Sequence, residues 1–471
     1  MLKKKFIGWL ILLTVQQGWS QTGSQSPYSY FGIGETQNQT ASFQTGMGGL
    51  SYAVRDSFNI NFSNPASYAS LRLTIFDISV SGSYTKYQSQ THTQTLNNGR
   101  LNYLSIAFPI IYKVWGSSVG LLPYTAKGYN LQTVGTINDS INYINSYEGS
   151  GGLNRLYWGN GFAVSRNVAL GLNLSYVFGN INRDRATEFT QAAYYNSSYQ
   201  IATQYGYVSA QAGLQFKTDS LFIKRNKNFE RYVTVDSING LDTIKIKTDV
   251  LKGKSGIEKK KLKAEKFLRF NAGFTGALGQ TVTETSDVFV RTYKRNNVGV
   301  ILQRDTILYA TNAETKRDLP GAIGVGFSLQ EINKWLFGID AGYQNWSVYN
   351  ERNNALDDAY KVIVGGEWIP KYNSAKYAQR IAYRAGLRYE KTNLSLNNTA
   401  IHDYTLSIGA GLPIRKDGVT SAFSAYHSKL NVALEFGIKG TTKNSLLQEN
   451  YVRLTIGVNF ADQWFIKRKY D

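Results

Sequence analysis

Between Val168 and Phe178 every second residue is apolar: Val168, Leu170, Leu172, Leu174, Tyr176 and Phe178 alternate with Ala169, Gly171, Asn173 and Ser175. Successive side chains of an extended chain point to opposite faces, so this stretch is a strand with one apolar face and one small or polar face. The same period returns along the chain, near residues 76–84, 104–108, 119–124, 156–164, 168–178, 208–216, 267–274, 323–329, 335–343, 360–368, 381–389, 404–412, 430–438 and 452–460. An apolar face about ten residues long suits a strand with lipid on one side and a polar interior on the other. Such strands cross a bilayer only if every backbone group is paired, which requires a closed ring, and single-chain rings use an even number. The expected fold is therefore all-β, a 14-stranded antiparallel transmembrane β-barrel over residues 72–460.

The start of the chain supports export. Lys3, Lys4 and Lys5 precede an apolar run from Phe6 to Val15 and a small-residue exit at Gly18-Trp19-Ser20. This is the pattern of a signal peptide over residues 1–20, and the apolar run is too short to span a bilayer. The chain has no cysteine, so an exported protein of this size must find its stability elsewhere, and a hydrogen-bonded ring supplies it. The leader takes three of the 52 Lys and Arg, and 49 against 32 Asp and Glu leaves +17. Export argues against nucleic acid as the partner of this charge. Lipid phosphates, lipopolysaccharide and acidic envelope partners remain.

Connection lengths set the expected orientation. The turns at 112–116, 165–167 and 331–333 are short, whereas those at 88–99, 135–152, 183–202 and 286–319 are long. Outer-membrane barrels keep short turns in the periplasm, which places both termini there, in the outer membrane of a Gram-negative cell. One connection breaks the rule. Residues 218–266 form a basic insertion on the short-turn side, with a hairpin pattern around Asn239-Gly240. Lys252, Lys254, Lys259, Lys260, Lys261 and Lys263 follow, either as a solvated loop or as a partner docking surface. The last strand ends on Phe460, and a basic tail, residues 461–471, continues beyond it.

Chemistry-bearing constellations are sparse. His92, His402 and His427 are scattered, no serine elbow is present, and the Gly-rich pieces at 324–326 and 409–411 sit inside strands. No enzyme activity and no cofactor or metal is expected. Pro123 is the unusual residue of the third strand, flanked by Gly120 and Gly128. Proline cannot donate to a ladder, so it marks a bulge or a gap, and a ladder break is expected there.

Before the first strand lies a Gly-, Ser- and Asn-rich stretch from Ala41 to Leu71, with Gly46-Met47-Gly48-Gly49 and Asn64-Pro65-Ala66. These two pieces, Gly149-Ser150-Gly151-Gly152-Leu153 and Leu319-Pro320 carry a resemblance to the FadL-type superfamily of outer-membrane barrels. That superfamily holds long-chain fatty-acid and hydrocarbon transporters and PorV-like secretion subunits. The resemblance implies that residues 21–71 form an N-terminal segment and luminal hatch, in which Gly46, Gly48, Gly49, Asn64, Pro65 and Ala66 take part. It also implies, for transporting members, a lateral gap at the third strand, here at Gly120, Pro123 and Gly128. Two functions follow. One is an accessory subunit of a machine for protein secretion or insertion, with envelope proteins as partners. The other is a passive transporter of hydrophobic small molecules with lateral exit near the third strand. The basic insertion and tail favour the first.

Overall fold

The computed structural model describes residues 24–138, 140–191, 193–218, 233–238, 241–246, 268–295, 301–349, 356–372, 374–414 and 428–462. The leader, most of the lysine-rich insertion, including Lys252 to Lys263, His427 and the tail beyond Asp462 lie outside them.

Fourteen strands form the ring. They are β1 (Thr74–Gln88), β2 (Thr93–Ile111), β3 (Trp115–Ile137), β4 (Ile141–Ala163), β5 (Val168–Phe189), β6 (Asn196–Lys217), β7 (Leu268–Ala277, continuing as Gln280–Arg295), β8 (Ile301–Leu319, continuing as Ala322–Glu331), β9 (Trp335–Gln344), β10 (Ala359–Trp368), β11 (Ala382–Leu396), β12 (Thr399–Pro413), β13 (Lys429–Gly440) and β14 (Gln448–Asp462). Each strand pairs antiparallel with the next, and β14 pairs with β1 from Gln448–Gln88 down to Asp462–Thr74, which closes the ring. β7 and β8 each count once although interrupted. The lower half of β7 pairs with residues 211–217 of β6 and its upper half with residues 196–204 of the same strand.

The outer face carries the alternating apolar residues. Leu170, Leu172, Leu174 and Tyr176 of β5, and Leu406 and Ile408 of β12, are exposed because lipid covers that face. Phe460 stands among them. The short turns behave as the sequence suggests: Lys113 and Asn333 take left-handed φ of 62° and 57° in three-residue connections.

The long connections differ from expectation. Residues 88–99, 135–152, 183–202 and 286–319 are mostly strand, and the links shrink to 89–92, 138–140, 190–195 and 296–300. These extensions are wet on both faces, so hydropathy does not alternate along them. Cross-strand backbone bonds hold them, and those leave no mark on side-chain composition. In the insertion, Val233–Ile238 pairs with Leu241–Ile246, a hairpin in the expected place.

Residues 24–73 run inside the ring. A single turn of helix (Ser42–Thr45) and a 3₁₀ helix (Pro65–Ser70) are the regular pieces of the stretch 41–71. Phe43, Met47, Leu50, Ile60, Phe62 and Tyr68 are buried there in one cluster with Tyr103, Tyr157 and Ile363 of the wall.

Candidate functional site at the ladder break and the lumen

Pro123 sits where the wall loses its pairing. β2 and β3 are paired from Ile111–Trp115 up to Leu104–Leu121, and no pair follows above. On the other side of β3, the register with β4 shifts between Pro123 and Thr125, leaving Tyr124 as the extra residue. The cause is local: proline has no N–H to offer, and the bulge turns the strand edge. Gly120 lies below the break, still paired with Ser105, and Gly128 lies five residues above Pro123.

The freed edge of β3 is covered from inside by the N-terminal segment. Glu35 and Thr36 pair antiparallel with Ala126 and Thr125. The Gln37 N–H donates to the Tyr124 carbonyl at 2.9 Å. The Gln39 amide donates to the Pro123 carbonyl at 2.8 Å. The Ser29 hydroxyl both donates to the Gly128 carbonyl and accepts from its N–H, each at 3.1 Å. Lys127, fully buried, donates to the carbonyls of Tyr30 and Gly32. Gln37 also accepts from the Arg100 guanidinium on β2, so one residue links both sides of the break.

Ion pairs fix the same segment to the far wall. Glu35 accepts from Lys439 at 2.7 Å and from Ser24 at 2.9 Å, and Ser26 donates to Glu449. Burial pushes the Glu35 carboxyl up, but the Lys439 ammonium and the Ser24 hydroxyl overcome it and hold the group below the ordinary carboxylate range.

Lower down, residues 41–71 press directly on the wall. Gly116, Gly161, Gly171, Gly213, Gly273, Gly326, Gly338, Gly365, Gly386, Gly409 and Gly457, from eleven of the strands, all face inward near the short-turn end. A methyl group on Gly161 would stand 2.6 Å from the Pro65 carbonyl oxygen, and one on Gly409 would stand 2.8 Å from the Gly46 Cα. On Gly365 and Gly386 it would overlap Met47, on Gly273 Tyr52, and on Gly171 Pro65. Gly48 and Gly49, at φ 74° and 95°, let the segment bend along this surface.

Polar side chains complete the attachment. Asn64 caps the 3₁₀ helix, accepting from the Ala66 N–H, and donates to the carbonyls of Tyr52, Leu214 and Phe274. Asp340 accepts the Ser51 N–H at 2.6 Å and the Tyr52 N–H at 2.9 Å. The candidate residues Gly46, Gly48, Gly49, Asn64, Pro65 and Ala66 therefore meet the wall at separate points around the ring.

Above this floor is a cavity of about 270 Å³. Tyr28, Phe31, Tyr124, Tyr207 and Val177 share its lining with Arg100, Arg155, Lys361, Arg388, Lys439 and Arg453, while Glu35, Glu390 and Asp403 are the acids. Arg388 pairs with Glu435 at 3.6 Å and Arg453 with Glu435 at 3.3 Å. Arg155, beside the break, has a buried Nε without a hydrogen-bond partner and lies among Tyr68, Tyr124, Tyr157 and Tyr207. The alternation in the sequence points to a small or polar inner face and does not single out these cations. Their signal was parity: Arg384 and Arg388 alternate with the outward Tyr383, Leu387 and Tyr389. No group of His, Cys, Asp or Glu suited to a metal ion occurs among the described residues.

The sequence model of a family named BamG matches the chain in two overlapping stretches, residues 1–267 and 223–471. None of the curated proteins matches it in sequence. Among solved structures, a Pseudomonas aeruginosa FadL homologue is similar with a TM-score of 0.50 at 12% identity, over 92% of this chain and 100% of that one. The Ralstonia pickettii toluene transporter TbuX gives 0.50 at 11%, over 90% and 98%. The P. putida toluene transporter TodX gives 0.50 at 11%, over 91% and 99%. At such identities the likeness is one of fold.

Proposed function

Because this chain belongs to the BamG family and has the fold of FadL-type outer-membrane barrels, we propose that it is a non-enzymatic accessory subunit of an outer-membrane machine for protein secretion or insertion. The observation that carries this reading is the fit between residues 41–71 and the glycines of eleven strands. In this reading the segment is a hatch that stays in place and makes the barrel a scaffold. The lining above it supports the same reading, because six cations interrupt any apolar path through the lumen. The partners are envelope proteins, and lipid and lipopolysaccharide surround the outer band. Both termini face the periplasm, where Lys252, Lys254, Lys259, Lys260, Lys261 and Lys263 offer a basic docking segment.

A second reading is a passive transporter of hydrophobic small molecules. The break above Leu121 favours it, since a ligand in the cavity would need only the release of residues 29–39 to leave sideways past Pro123. Purification in a gentle detergent separates the two. The subunit reading expects stoichiometric co-purification of identified envelope proteins; a lone barrel with lipid or detergent in its lumen would overturn it and favour transport.

A further inference from the structure

The ring is lopsided. β3 and β4 have 23 residues each and β5 and β6 have 22, whereas β9 and β10 have ten. The difference of 13 residues between β3 and β9 is about 40 Å of extended chain. On the outer face of β4, β5 and β6 the continuous apolar row ends near Leu156, Phe178 and Val208; Asn154, Ser150, Asn180, Asn182, Gln204 and Gln200 stand above it, and apolar residues such as Val134 and Ile144 recur only higher on the wall. Six strands, β3 to β8, therefore rise beyond the lipid band as a single-layer wall. A single sheet with water on both faces has no layer against which to bury either one.

The two faces of this wall differ in chemistry. Period two and the ladder registers put Tyr143, Tyr147, Arg185, Phe189, Tyr199 and Lys294 on the inner, concave face. The same registers put Glu148, Asp184, Glu188, Asp287, Glu314 and Asp318 on the outer face. Among the described residues of the wall away from the bulges of β8, the one inward carboxylate is Glu284, and it is paired with Arg317 at 2.7 Å. The inner face is thus aromatic and cationic, whereas the outer face is mixed, its acids standing among Arg291, Arg295 and Lys316, with Glu188 paired to Arg295 at 2.6 Å.

The N-terminal segment shows how polypeptide sits on the base of this concave face. The Gly32 carbonyl accepts from Arg183 at 2.7 Å, and the Tyr30 hydroxyl accepts from Arg185 at 3.1 Å. The Tyr30 ring lies edge-on to Tyr129 and Tyr147, at 5.2 and 6.4 Å. Higher on the wall Tyr199 is 39% exposed, and Leu302 and Leu308 of β8 are 46% and 49% exposed.

We propose that the inner face of this half-wall is the docking surface for an acidic envelope protein on the long-strand side of the barrel. Carboxylates of that partner lie against Arg185 and Lys294, and its apolar side chains cover Tyr143, Phe189 and Tyr199. The proposal rests on the subunit reading and adds to it the face used and the charge of the partner.

The test places a photo-crosslinking amino acid, one position at a time, in the full-length protein in intact cells. Positions 143, 189 and 199 sample the inner face, 182 and 200 the outer face, and 172 the lipid band. The proposal expects one protein captured from the inner positions only, with the attachment mapping to an acidic patch. Arg185→Glu should lower that yield at least tenfold, and Lys294→Glu, which leaves the N-terminal segment untouched, should do the same. Lysine at the mapped partner acid should then restore capture by Lys294→Glu. Capture of a protein from positions 172, 182 or 200 alone would overturn the docking face and leave the subunit reading standing. Capture of glycan or lipid from the inner positions would also overturn it. No protein from any of the six positions would sink both.

Discussion

Adding one methyl group inside the ring should loosen the segment beneath it, and by an amount the geometry fixes. At Gly409 a new Cβ falls 2.8 Å from the Gly46 Cα, where carbon atoms rest at about 3.5 Å or more. At Gly161 the shortfall against the Pro65 carbonyl oxygen, at 2.6 Å, is similar. The obstacle is backbone in both cases, so no side chain can turn away and the segment must shift by roughly 0.7 Å. Overpacking of this kind costs about 1–3 kcal/mol. Every 1.4 kcal/mol is about tenfold, so the local opening constant should rise roughly 5- to 150-fold. Controls are available on the outer face, where a Cβ on Gly276 or Gly82 meets nothing closer than 3.7 or 3.9 Å. Hydrogen–deuterium exchange of peptides from residues 41–71, read by mass spectrometry, measures the opening. Gly161→Ala and Gly409→Ala should each accelerate exchange there, and the two effects should add, because they meet different parts of the segment. Exchange no faster than in Gly276→Ala and Gly82→Ala would refute the idea that wall glycines hold the segment.

Three further outcomes follow from single contacts. Asp340→Ala leaves the N–H groups of Ser51 and Tyr52 without their acceptor and should cost about 2–6 kcal/mol, whereas Asp340→Asn keeps one oxygen and should cost less; equal denaturant midpoints for the two variants would contradict this. Arg155→Met removes a buried guanidinium whose Nε has no partner, so stability in a denaturant titration should stay level or rise, and a marked fall would mean that Arg155 is well paired. Glu35 is held below its ordinary range, so its contribution is complete above the unfolded value of about 4.3 and is lost as the pH falls further. Exchange in residues 24–39, after correction for intrinsic rates, should therefore rise as the pH falls below about 4.3; Glu35→Gln should remove that part of the rise, and an unchanged acid profile would count against the Lys439 pairing.

The outer face of the barrel was readable from the sequence because one physical rule governs it. Lipid on one side forces alternation, and Leu170 to Tyr176 obey it as plainly as Leu406 and Ile408. The upper strands were not readable, since Thr93–Gly99 or Ile141–Gly149 face water on both sides and no rule of hydropathy separates them from loop. Pro123 was legible as an irregularity through its missing donor. What covers the neighbouring edge was not, because Glu35 and Thr36 pair with residues some ninety positions away. The Gly-rich pieces at 324–326 and 409–411 were legible only as glycines inside strands. The common partner of the inward glycines became visible only when residues 41–71 were placed against all of them. The inner cations were written in the parity of β11, where Arg384 and Arg388 occupy the positions opposite its lipid-facing residues.

The glycine-lined floor bears on how such a molecule comes to be built. Residues 41–71 precede β1, and the ring they touch closes where β1 meets β14, the two ends of the barrel sequence. A floor whose glycines meet the segment this closely leaves little room for it to enter already folded once that seam has formed. The expected order is therefore that the strands are laid around the segment as around a mandrel, and that the β1–β14 seam forms last. A chain lacking residues 42–64 is expected to close slowly or to a different circumference, seen as altered heat-dependent gel mobility; a normal barrel from that chain would show that the strands measure themselves.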